Sequence, residues 1–239
     1  MSGHTHTHKA PKKKVVVLLS AGLDSTVNAF EVIKHGREIA LALTFNYGQR
    51  AAAKEIECAA KLAAHLKVPH QVVELPWFKD FNKSSLLVES EKVPTGSDVQ
   101  IDSKEKSEET AKSVWVPNRN GIFINIAAAY AEALGADAVI PGFNAEEAVT
   151  FPDNSKEFLD ASTKALWFST STHVTAGCYT AHLAKPDIVR LGQGLKVPWE
   201  LIWPCYFSGE KWCGQCESCL RSKRAFKSAS IPVDYLYKE

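Results

Sequence analysis

No apolar run in this 239-residue sequence comes near the roughly 18 residues that a membrane-spanning helix requires. The N-terminus lacks the apolar core of a secretion signal, so the expected compartment is the cytoplasm. Charge of one sign is missing too: 28 Lys and Arg against 27 Asp and Glu leave a formal net charge of +1. Binding nucleic acid through its phosphates calls for a surplus of cations. Small molecules, rather than nucleic acid or a membrane, are therefore the expected partners. The first strand–turn–helix stretch contains neither Gly-x-x-x-x-Gly-Lys-Ser/Thr nor Gly-x-Gly-x-x-Gly, which excludes a Walker-type loop and a dinucleotide fingerprint. With 45% apolar and 23% charged residues, the chain has the composition of a globular protein with a sizeable core.

That first stretch is Val15-Val16-Val17-Leu18-Leu19-Ser20-Ala21-Gly22-Leu23-Asp24-Ser25-Thr26. A β-branched apolar run predicts a buried strand. Ser20 to Ser25 predict a tight polar turn with its freedom at Gly22. From Ser25 or Thr26 the pattern is helical, with Val27, Phe30 and Ile33 on one face. Such a joint aims free N–H groups and the positive end of a helix dipole at an anion. The turn resembles the Ser-Gly-Gly-x-Asp-Ser loop of the PP-loop ATP-using enzymes, with Ala21 where that family has its first glycine. A plain strand–turn–helix joint without ligand is the bland alternative.

Further along, Ile39–Phe45 predicts a second strand, ending in a polar loop with Tyr47, Gln49 and Arg50. A helix is expected over 51–66, with Cys58 as a small buried residue, and a third strand over 72–75. The order β-α-β-α-β implies parallel strands with right-handed crossovers, a doubly wound α/β fold whose ligands bind at the carboxyl ends of the strands. Residues 84–113 are rich in Ser, Glu and Lys without clear periodicity, an insertion or a lid. Asn118-Arg119-Asn120-Gly121 leads into a helix with Ile122, Ile126, Ala129, Ala133 and Leu134 as its expected buried face. Arg119 could hold a carboxylate or phosphate, or be a surface Arg beside a capped turn. A fourth strand, 138–140, runs into a loop carrying Asn144. His173 and Cys178 read as incidental to a strand, and 186–191 as a short helix ended at Gly192. His4, His6 and His8 belong to a flexible tail over 1–14, followed by an α/β domain over 15–195 and a C-terminal segment over 196–239.

Four of the six cysteines fall within 15 positions: Cys205, then Cys213-x-x-Cys216-x-x-Cys219. In the expected compartment this pattern argues for metal rather than disulfides. Four thiolates suit a closed tetrahedral, structural Zn²⁺ site. An iron–sulfur cluster is the rival, although the ferredoxin spacings do not match. A basic helix follows, expected to pack through Leu220 and Phe226. Trp199, Trp203 and Trp212 read as core or as subunit interface.

A PP-loop at one end and this cysteine cluster at the other resemble the 7-cyano-7-deazaguanine synthase family over residues 15–230. The likeness includes Leu-Thr-Phe-Asn-Tyr-Gly-Gln-Arg (43–50), Val-Pro-Asn-Arg-Asn (116–120), Gly-Phe-Asn-Ala (142–145), Phe-Pro-Asp (151–153) and Ile-Val-Arg-Leu-Gly (188–192). Asn118 stands where many members have glycine, and residues 147–155 depart from the common pattern. The resemblance implies a PP-loop fold of the adenine nucleotide α-hydrolase type, ATP with Mg²⁺, structural zinc and a homodimer. It implies a ligase that activates the carboxylate of 7-carboxy-7-deazaguanine with ATP, forms an amide with ammonia, then activates the amide to a nitrile. Residues 18–26, with Ser20, Gly22, Asp24, Ser25 and Thr26 foremost, would contact ATP. Tyr47, Gln49, Arg119 and Asn144 are candidates for substrate contact. Rivals are transfer of the activated carboxylate to another amine, tRNA modification, and non-catalytic nucleotide binding.

Overall fold

A computed structural model describes residues 13–238, so the expectations for the histidine tail lie outside the described residues. In chain order the main elements are β1 (Lys14–Leu18), α1 (Leu23–Lys34), β2 (Glu38–Asn46), α2 (Ala52–Leu66), β3 (His70–Glu74), α3 (Phe78–Phe81), α4 (Lys104–Val114) and α5 (Arg119–Ala133). They continue with β4 (Ala138–Ile140), α6 (Ala145–Ala148), α7 (Lys156–Ser169), β5 (Thr175–Ala176), α8 (Lys185–Gly194) and α9 (Glu217–Ser228).

The strands form one sheet in the order β3-β2-β1-β4-β5, and every pairing is parallel. Valines 15 to 17 make β1 its centre. Val15 and Val17 point into the core under α1, α2, α8 and α9, while Val16 joins the opposite core with Leu43, Ile124 and Val139. Because β2 lies on one side of β1 and β4 on the other, the order reverses at β1. The carboxyl ends of β1 and β4 therefore open onto a crevice. The C-terminal segment belongs to the same body: Trp199, Trp203 and Trp212 are all buried in the core that covers Val15 and Val17.

Several helices show faces other than those expected. α1 starts two residues before Ser25, and Ile33 lies 43% exposed while Val32 is buried. On α5 the buried stripe is Phe123, Ile124, Ala127, Ala128 and Ala131 rather than Ile122, Ile126, Ala129, Ala133 and Leu134. That helix is apolar almost all round, so its periodicity does not select a face; the stack of Phe123 on Phe45, 4.0 Å between centroids, does. On α9, Phe226 packs inward as expected, but Arg221 is buried and Leu220 is only half-buried. Within the 84–113 segment, residues from Lys104 are helical, and Arg50 gathers the segment's start through the carbonyls of Ser85, Val88 and Glu91. Its middle meets the cysteine knuckle, where Thr95 bridges Cys216 and the Gly96 amide donates to Gln215.

Candidate active site and metal centre

The β1–α1 turn is held by its own side chains. Ser20 and Ser25 hydroxyls lie 3.1 Å apart, the Gly22 amide donates to Ser20 Oγ, and Ser25 Oγ donates to the Gly22 carbonyl. No side chain caps α1. Its first N–H groups are left to an anion, and the helix dipole favours one there. Ala21 adopts the left-handed conformation, φ 60°, which explains why a glycine suits that position. The conformation is fixed from outside: Ala21 is fully buried, and its carbonyl accepts from the Trp203 amide at 2.7 Å. Asn118, the other departure from glycine, is also left-handed, φ 52°. Gly142 lies against the turn so closely that a Cβ there would sit 2.3 Å from the Ser25 nitrogen.

Beneath the turn is a buried ionic cluster. Lys185 Nζ lies 3.1 Å from Asp24 Oδ2 and 2.8 Å from Glu147 Oε1. Asn144 donates to the same Asp24 oxygen at 3.1 Å and accepts from the Glu147 amide. Burial pushes Asp24 up, with Lys185 opposing. Burial also acts against charge on Glu147 and Lys185, but their mutual attraction wins, leaving Glu147 below and Lys185 above their ordinary values. Two carboxylates face one ammonium, and Asp24 Oδ1 remains buried without a partner. Such an orphaned acceptor costs about 1–3 kcal/mol until something positive or protic reaches it. That donor set fits a hard cation such as Mg²⁺.

A cavity of about 230 Å³ spans the turn, the end of β2, the first turn of α5, the loop after β4 and the starts of α8 and α9. Leu18, Leu19, Ser20, Gly22, Leu23, Asp24 and Ser25 line it; Ala21 and Thr26 do not, Thr26 being fully buried. Tyr47 and Arg119 also line it, with the Arg119 guanidinium donating to the Tyr47 hydroxyl at 3.2 Å. No carboxylate among the described residues lies within ion-pair distance of Arg119, so a cation faces the cavity with its fork largely unspent. Gln49 and Asn144 are braces instead of wall. Gln49 ties the Tyr47 amide to the Phe45 carbonyl and to Glu55, and Asn144 orients Asp24. Glu55 lines the cavity, and burial raises it to about 7 against the pull of Gln49 and Arg119. His173 and Cys178 do not meet: His173 stacks on Trp167, and Cys178 contacts Asn28, Phe143 and Thr180.

The residues that the sequence did not single out are Lys185, Glu147, Glu55, Tyr206, Glu217 and Arg221, all of which line the cavity. Lys185 gains its role from Asp24, far along the chain, whereas Glu217 and Arg221 pair with each other within α9 and reach the cavity only because that helix returns to it.

Cys205, Cys213, Cys216 and Cys219 bring their sulfurs within 4.8 Å of one another, all as free thiols. Cys213 and Cys219 sulfurs are 3.8 Å apart. A tetrahedral ion with bonds of about 2.3 Å sets its sulfurs about 3.8 Å apart, so the group fits a single metal ion. Backbone N–H groups of Phe207 and Cys213 point at Cys205 Sγ, and those of Gln215 and Cys216 at Cys213 Sγ. These donors favour the thiolate state that a metal needs.

A family model described as queuosine biosynthesis protein QueC matches residues 14–230. The 7-cyano-7-deazaguanine synthase of Bdellovibrio bacteriovorus is 82% identical over 227 residues, covering 95% of this chain and 98% of that protein. The 7-cyano-7-deazaguanine synthase of Carboxydothermus hydrogenoformans is 52% identical, with 89% and 98% covered. That of Methanosarcina mazei, an enzyme of the same name, is 42% identical, with 91% and 95% covered. The match runs from the first strand through the cysteine knuckle, the two features that flank the cavity, and the chain belongs to the queuosine biosynthesis protein QueC family.

Proposed function

We propose that this chain is an ATP-dependent carbon–nitrogen ligase that converts 7-carboxy-7-deazaguanine and ammonia to 7-cyano-7-deazaguanine. The observation that carries this reading is one cavity joining an uncapped helix N-terminus, with Asp24 Oδ1 unpartnered beside it, to a guanidinium that has no carboxylate partner among the described residues. The helix start offers N–H groups to a phosphate chain, and the guanidinium offers its fork to an anionic group of a second substrate. The names of the relatives supply the product.

A carboxylate resists attack until one oxygen becomes a leaving group. Its oxygen attacks the α-phosphorus of ATP, releasing pyrophosphate onto the N–H groups of the β1–α1 turn. Ammonia adds to the acyl carbon, AMP leaves, and the nitrogen sheds a proton to give the amide. The amide oxygen then attacks a further ATP, again releasing pyrophosphate; loss of AMP and of both amide protons leaves the nitrile. Ser20, Gly22 and Ser25 orient the departing pyrophosphate. Asp24 would hold Mg²⁺ through Oδ1, and that ion supplies charge neutralisation at the phosphates. Lys185 fixes Asp24 and Glu147, and Arg119 holds an anionic group of one of the substrates. The residues mostly position and stabilise charge rather than exchange protons.

The thiolate group is proposed to hold structural Zn²⁺. An iron–sulfur cluster divides the four thiolates over two or more irons and would spread the sulfurs further than the single-ion spacing observed. A homodimer acting in the cytoplasm completes the proposal; among the described residues no helix is long and apolar enough to cross a membrane. Purified protein incubated with ATP, Mg²⁺, ammonium and the carboxylated base should yield nitrile and AMP by mass spectrometry. Accumulation of amide alone, or no ATP consumption, would contradict the reading.

A further inference from the structure

The first turn of α9 puts a second set of unspent polar groups on the cavity. Glu217 is 2% exposed and lines the cavity. Its Oε1 accepts from both Nε and Nη2 of Arg221, at 3.0 and 2.8 Å, while its Oε2 is buried with no partner among the described residues. Five residues on, Ser222 lines the same cavity, is fully buried, and has a hydroxyl without a partner. Leaving two such groups bare inside a protein is costly. A ligand that relieves both must offer donors to a carboxylate oxygen and an acceptor to a hydroxyl.

The chemistry of the candidates separates them. A phosphate would be repelled by Glu217. Adenine places a lone-pair nitrogen beside its amine and matches a carboxylate poorly. An ammonium ion seeks several negative oxygens, whereas here one oxygen is free and the other is already bound to a guanidinium. A guanine-type edge carries two adjacent donors, the ring N1–H and the 2-amino group, next to a carbonyl oxygen. That edge satisfies an acceptor and a hydroxyl donor together. Glu217 is held in place by its neighbours in the knuckle, Cys216 and Cys219, and by the Arg221 clamp, so its free oxygen is pre-oriented.

We infer that Glu217 reads the N1–H and 2-amino edge of the substrate base and thereby sets specificity for a guanine-like ring. The inference rests on the proposed substrate class. It assigns Glu217 to binding the base, with no part in the reacting atoms.

The test compares 7-carboxy-7-deazaguanine with its analogue lacking the 2-amino group, in steady-state kinetics of the full-length protein and of Glu217→Gln. A site built to pair with a donor rejects a ligand that lacks it. The unsubstituted protein should therefore prefer the amino-bearing base by about tenfold or more in kcat/KM. Glu217→Gln should bring the two bases to within about threefold, mainly through the KM for the parent base, with the KM for ATP and for ammonium unchanged. Metal content and thermal midpoint check its folding; should it not fold, Glu217→Asp takes its place with the same expected loss. Nitrile formation in which the variant keeps the full preference would overturn the inference and leave the activity standing. So would equal use of both bases by the unsubstituted protein, or a raised KM for ammonium with the preference intact. No turnover of the carboxylated base by the unsubstituted protein would remove the activity and the inference together.

Discussion

Ala21 sits left-handed, φ 60°, in the most sensitive turn of the molecule. Glycine reaches that conformation without a Cβ clash, so Ala21→Gly should keep activity and raise stability by up to about 1 kcal/mol, measured by urea unfolding. A β-branched Ala21→Val, fully buried and left-handed, should lower stability and abolish turnover. Lys185 is the residue whose loss should be felt most. Lys185→Met strands two buried carboxylates, and kcat/KM should fall by at least about a hundredfold. Glu55 makes stability depend on pH. Its folded value near 7 exceeds the ordinary 4.5, so the folded state holds more protons between those limits. Stability is therefore full below about 4.5 and declines as pH rises through 7. Thermal midpoints across this range should show Glu55→Gln flattening the slope. The turn was legible in the sequence because strand, polar turn and helix are contiguous there. Lys185 was not: its partner Asp24 is 161 positions away, and a lysine before a proline at a helix start looks like solvated surface.

At the scale of elements, the knuckle was readable from spacing alone, because three thiolates at intervals of three can face one ion. Its structural reach was not readable. The knuckle carries Glu217 and Arg221 into the cavity, and Thr95 of the 84–113 segment pairs with Cys216. Chelation, or Cys213→Ser, should therefore loosen the C-terminal segment and lower affinity for both substrates; limited proteolysis and binding calorimetry would read these losses. The buried face of α5 differs from the expected one because an apolar helix without a polar side has no period to follow, and packing on the sheet, the Phe45 stack included, fixes its rotation. The contact between Gly142 and α1 was equally invisible. A Cβ 2.3 Å from the Ser25 nitrogen must displace the β1–α1 turn, so Gly142→Ala should raise the KM for ATP with the sheet still folded.

The whole molecule is a parallel sheet whose strand order reverses at β1, with the cavity at that reversal. The β-α-β order made this legible, since right-handed crossovers leave few alternatives. The cavity's breadth was not legible, because it depends on α9 returning from the far end of the chain to close over the turn. Both oxygens of the substrate carboxylate should leave on AMP, within this one cavity. The most direct test supplies 7-carboxy-7-deazaguanine labelled with ¹⁸O in its carboxylate, together with ATP, Mg²⁺ and ammonium, and follows the label by mass spectrometry. The expected result is ¹⁸O in AMP, one labelled AMP for each carboxylate oxygen lost, and a nitrile free of oxygen label. Label in inorganic phosphate, or unlabelled AMP, would contradict it.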